Sequence, residues 1–151
     1  MRIKLVSILF VLISIFLVGC SLLSTFKYEY KYFDDNIGQI NNDNEEKIYI
    51  IENKSEALAF CNNNLSDEFA SQISNYNDSF YDNNYLIVIV LKNKASNNNY
   101  SLSKSYVEND KLTIEIKENK AKISEDAIYN KAFIIEMNNQ EKYSDVNIII
   151  K

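Results

Sequence analysis

The sequence predicts an α+β fold: a signal peptide, then one mainly antiparallel sheet of five or six strands with two short helices. Three observations carry that expectation. Tyr85 to Leu91 is an unbroken apolar run rich in β-branched residues, the mark of a central strand buried on both faces. Downstream, Tyr100, Leu102 and Tyr106 alternate with serines, and Leu112, Ile114 and Ile116 alternate with Thr113, Glu115 and Lys117, which is strand periodicity. Upstream, Phe69, Ile73 and Tyr76 recur at helical spacing behind Ser66-Asp67-Glu68, a cap followed by two carboxylates at the positive end of the helix dipole.

Taken in order, the chain opens with a basic segment, Met1 to Lys4, and an apolar run from Leu5 to Val18 interrupted only by Ser7 and Ser14. That is the layout of a secretory leader, and as a helix the run is about 21 Å long, short of the roughly 30 Å hydrocarbon core. It ends in Leu17-Val18-Gly19-Cys20, which resembles the lipobox of bacterial lipoproteins. The resemblance implies diacylglycerol on the Cys20 sulfur, cleavage before Cys20 and attachment to the outer face of the cell membrane. Two acyl chains anchor stably, at about 0.8 kcal/mol per buried methylene. An uncleaved membrane helix extended through Leu23 is the alternative, and it too leaves the body outside the membrane.

Residues 1–19 are therefore read as the leader, 20–44 as a tether with a first strand, and 45–151 as a single domain. Within the tether Phe26, Tyr28, Tyr30 and Tyr32 alternate with Lys27, Glu29 and Lys31, giving an aromatic strand face. Tyr28, Tyr30, Tyr32 and, further on, Tyr100 are candidate partner-binding residues, with coverage of a core as the competing role. Asp34 to Lys47 reads as a solvated loop; its oxygens suit Ca²⁺ in type, but Gly38 is out of place for an EF-hand relative to Asp34 and Asn36. Ile48 to Ile51 is a short strand, Ser55 caps a helix from Glu56, and Ala57 to Cys61 is an apolar helical stretch that buries the Cys61 thiol.

Glu108-Asn109-Asp110-Lys111 joins the two alternating segments as an antiparallel hairpin. Ser124-Glu125-Asp126 starts a turn of helix or lines a loop, and Phe133 to Ile135 and Val146 to Ile150 close the sheet.

Residues 85–150 resemble the C-terminal domain of the PrcB family, a protease complex subunit. The positions that carry the likeness are Asn98-Asn99-Tyr100-Ser101, with asparagines where that family has glycines, and Val107 to Ile114. Lys120 to Asn130 holds no Pro where the family has one. The resemblance implies a non-catalytic exported module that contacts a protein partner, a protease among the candidates.

Composition narrows the chemistry. The chain has no His, no Pro and no Trp, and Gly38 is the one glycine outside the leader. Without imidazole there is no Ser-His-Asp or Cys-His mechanism and no His-ligated zinc, and without glycines no phosphate-cradling loop. No cofactor and no nucleotide are expected. Removal of Arg2 and Lys4 with the leader takes the side-chain charge from −5 to −7, which repels nucleic acid and leaves no Arg for bidentate contacts. With Cys20 lipidated, Cys61 has no partner for a disulfide within the chain.

The expectation is a tethered, non-enzymatic binding or accessory lipoprotein. The alternatives are an envelope lipoprotein without a specific ligand, and a hydrolase built on paired carboxylates drawn from Asp34, Asp35, Glu68, Asp78 and Asp82.

Overall fold

The computed structural model describes residues 26–40, 45–123 and 126–151. Cys20 and the leader lie outside these residues, as do Asn41 to Asn44 of the polar loop and the Ser124-Glu125 pair. The strands are β1 (Tyr30–Phe33), β2 (Gly38–Gln39), β3 (Lys47–Ile51), β4 (Asn64–Leu65), β5 (Asn84–Ala95), β6 (Asn99–Glu108), β7 (Lys111–Asn119), β8 (Ile128–Asn138) and β9 (Asp145–Ile150). Three short helices, α1 (Lys54–Cys61), α2 (Asp67–Ser74) and α3 (Asp78–Tyr81), lie between β3 and β5.

The fold is α+β, but the strands do not form one sheet. They divide into a four-stranded antiparallel sheet ordered β1-β8-β5-β3, a three-stranded sheet ordered β6-β7-β9, and the small pair β2-β4. Side-chain alternation fixes which face of a strand is apolar and leaves open which strand lies beside it. Here the two larger sheets put their apolar faces together.

The β5 run occupies the centre of three layers. One face, Leu86, Val88 and Val90, joins Ala132 and Ile134 of β8 against Ala57 and Phe60 of α1 and Phe69 and Ile73 of α2. Its other face, Tyr85, Ile87, Ile89 and Leu91, joins Phe133, Ile135 and Met137 against Tyr100, Leu102, Leu112, Ile114 and Ile116 of the second sheet. An apolar run without alternation is what a strand with a core on each side requires.

Local chemistry accounts for the boundaries. Ser66 caps α2 by accepting from the Phe69 amide at 3.4 Å, while Tyr76 falls beyond the end of the helix. Helix α1 begins earlier than its sequence suggested: Asn53, not Ser55, is the cap. Asn53 Oδ1 accepts from the Glu56 amide, and the Glu56 carboxylate accepts from the Glu52 amide and the Asn53 side chain, a reciprocal arrangement that Ser55 cannot make.

The β6-β7 hairpin turns at Asn109 and Asp110, both in left-handed backbone (φ 49° and 62°), as a two-residue turn between twisted strands demands. Within β6 the register slips between Leu102 and Lys104. The extra residue, Ser103, turns Tyr106 to the outer face, opposite Thr113, so it does not share the inner face of Tyr100 and Leu102. Strand β9 lies parallel to β7, because the chain crosses to the other sheet through β8 before returning.

Strand β1 is an integral edge of the larger sheet, with Tyr30 opposite Ile135 and Phe33 opposite Ala132.

Candidate functional site

The N-terminal aromatic segment runs along the seam of the two sheets. Tyr32 stacks on Phe133 with ring centroids 4.7 Å apart, and Phe26 meets both Tyr28 and Tyr30 edge-on. Tyr28 and Tyr32 pack on the inter-sheet core, while Tyr30 keeps 40% of its surface exposed. The Tyr28 and Tyr143 hydroxyls share a hydrogen bond of 2.8 Å, and Tyr32 donates to Asp34 Oδ1 at 3.0 Å. Burial first, and these bonds second, hold both phenols well above the usual tyrosine range, so both stay neutral.

Tyr100, the fourth candidate, is 2% exposed: its ring belongs to the inter-sheet core. Its hydroxyl donates to Glu118 Oε1 at 2.5 Å, and the Asn98 amide group donates to the same oxygen at 3.0 Å. Asn98 Oδ1 in turn accepts from the Ala121 amide at 3.1 Å. The Tyr100 bond is the main reason that the Glu118 carboxyl lies below its ordinary range.

Beside this network stands a fully buried lysine. Lys131 Nζ donates to Asp34 Oδ1, to the Ser96 carbonyl at 2.9 Å and to the Asn98 carbonyl at 2.6 Å, and lies 6.0 Å from the centre of the Tyr100 ring. Three donors meet three acceptors, so the ammonium is satisfied without water. It joins the exit of β1, the β5-β6 turn and the inner end of β6. Sequence reasoning missed Lys131, although the signal was present: it falls in phase with Phe133, Ile135 and Met137 on the core face of β8.

The network forms one wall of an open cleft of about 430 Å³, lined by Asn93, Lys94, Asn98, Tyr100, Glu118 and Lys120. Lys94 is paired with Glu46 at 2.5 Å, an interaction that helps hold the Glu46 carboxyl low after burial is offset. The cleft is polar and of mixed charge. Its carboxylate stays ionised at neutral pH, which makes it a hydrogen-bond acceptor and a poor proton donor.

The carboxylates considered for hydrolysis are exposed and fall in three places: Asp34 and Asp35 after β1, Glu68 on α2, and Asp78 and Asp82 at the two ends of α3. Cys61 is half-buried, its Sγ donates to the Ala70 carbonyl at 3.4 Å, and burial raises the thiol. Among the described residues there is no group of three or more His, Cys, Asp or Glu placed to hold a metal ion, and no helix long and apolar enough to cross a membrane.

No known protein family, curated protein or solved structure matches this chain.

Proposed function

We propose that the protein is an extracytoplasmic lipoprotein, tethered to the outer face of the cell membrane through lipid on Cys20, that works as a non-catalytic accessory module for a protein partner. The observation that carries this reading is the Leu17-Val18-Gly19-Cys20 pattern behind an apolar leader, placed six residues before Phe26. Six residues extend at most about 21 Å, so lipid on Cys20 holds the body close to the bilayer. Phe26 already packs on the inter-sheet core, so the body begins almost at the anchor.

Other features support a binding role. The body is acidic, its side chains favour protein contacts over phosphate, and the polar groups around Tyr100 and Lys131 are engaged in structural hydrogen bonds. The PrcB-like order of residues 85–150 supplies the partner class, a protease.

The test is expression of the full chain and of Cys20→Ala in a lipoprotein-competent bacterium, followed by mass measurement, membrane partition and crosslinking of neighbours. The expected wild-type product lacks residues 1–19, carries diacylglycerol and stays with the membrane, and the variant stays unlipidated. A full-length product whose membrane attachment survives Cys20→Ala would replace the lipid anchor with an uncleaved helix. Absence of any reproducible crosslinked protein would leave the envelope-structural alternative.

A further inference from the structure

The two packed sheets differ by one strand, and the deficit lies at one place. Strands β1 and β6 lie along one side of the sandwich, where Tyr32 approaches Tyr100; β3 and β9 are the edges on the other. Ile48 and Ile50 point from β3 toward the second sheet, opposite Ile89 and Ile87 of the same face, and Ile50 remains 45% exposed. A groove of about 580 Å³ runs there between Ile48 on one side and Asn147, Ile148 and Ile150 on the other, with Glu45 and Glu46 at its end.

The backbone of β9 is available to that groove. Lys151 donates to the Ile116 carbonyl and accepts from the Glu118 amide, so odd-numbered residues of β9 bond to β7. By alternation the main-chain groups of Val146, Ile148 and Ile150 point to the open edge, where the Val146 amide meets the Asp145 carboxylate. Folded proteins guard such edges with charge, proline, bulges or shortness. Strand β6 has its bulge at Ser103 and Lys104, and β1 has Lys31 and only four residues. Strand β9 has no proline or bulge, and its charges, Asp145 paired with Lys111 and Lys151 just after the strand, stand at its two ends, so Val146 to Ile150 between them is uncharged.

The geometry points to β9 as a docking edge for an extended segment of another protein, with alternate small apolar side chains and a basic end. The added strand would complete the second sheet, cover Ile48 and Ile50, and place its basic end beside Glu45 and Glu46. The groove ends at the exposed Glu45, beside Glu46 in its pair with Lys94, and this acidic end selects a segment whose own end is basic. This inference rests on the reading of the protein as a partner-holding module and assigns where that contact is made.

The test uses the full-length protein in detergent micelles and an eight-residue peptide of alternating valine and threonine with lysine at both ends. Amide hydrogen exchange at Ile148 and Ile150 is expected to be fast in the free protein and at least ten-fold slower with peptide. The same peptide N-methylated on alternate residues should give no protection, a control that leaves the protein unaltered. Glu45→Gln should weaken binding several-fold, and by less at high salt. Unchanged exchange at millimolar peptide overturns the proposal, and so does protection that grows with protein concentration alone, which makes a second copy the occupant. A partner crosslinked in cells that is still captured by Ile148→Pro overturns this edge while leaving the accessory role standing. Protection by the peptide with no partner captured in cells would do the reverse.

Discussion

Lys131 shows how a single polar residue can organise an end of a β-sandwich. Its ammonium is wholly enclosed, yet its counter-ion Asp34 is about half exposed, so the pair is not a closed buried salt bridge. Most of the compensation comes from the Ser96 and Asn98 carbonyls. Replacing Lys131 by Met keeps the volume and strands both carbonyls in the core, each at a cost of about 1–3 kcal/mol. Asp34→Asn leaves the ammonium on those carbonyls and removes only a partly screened attraction, with a cost of about 1 kcal/mol. Urea unfolding should therefore place Lys131→Met well below Asp34→Asn. The reverse order would mean that the ion pair, rather than the carbonyl cage, holds the lysine.

At the scale of elements, the β6-β7 turn is a good fit made from imperfect residues. Asn109 tolerates left-handed backbone; Asp110 does so with more strain, and its own contribution to the contact with Ser144 is its carbonyl. Asp110→Gly preserves that carbonyl and removes the strain, so we expect stabilisation of about 0.5–1 kcal/mol, read as a raised Tm. The same turn illustrates what sequence makes legible. Chemistry confined to a few neighbouring residues was readable: the turn, the Ser66 cap, and the double-faced burial of β5. Features decided by distant residues were not. The Ser103 bulge moves Tyr106 across the sheet, and no local pattern in Leu102 to Tyr106 announces it. Whether Tyr100 meets a partner or a core depends on the strands of the opposing sheet. Division of the strands between two sheets is likewise invisible in alternation, which specifies faces and not neighbours.

For the whole molecule, β5 and β8 tie both cores together, since each strand contributes one face to each. Loss of either core should therefore unfold both, and the tyrosines provide a way to see it. Tyr81 belongs to the helix-side core and Tyr85 to the inter-sheet core; burial pushes both phenols up to about 12, and Tyr100 is raised further. In the unfolded chain each ionises near pH 10. Between about pH 10 and 12 the native state thus binds more protons than the unfolded state, and stability falls as pH rises. Each buried tyrosine contributes a slope of about 1.4 kcal/mol per pH unit, and the half-buried Tyr28, Tyr32 and Tyr76 add in the same sense. Against a stability of about 5–15 kcal/mol, three such slopes suffice to unfold the domain within a few pH units above 10. Circular dichroism and tyrosinate absorbance should change together in one step, and Tyr85→Phe should lessen the slope by about one tyrosine's share. Tyrosinate that appears smoothly near pH 10 while the circular dichroism stays native would show phenols open to water, and two separated steps would show that the layers on either side of β5 melt independently.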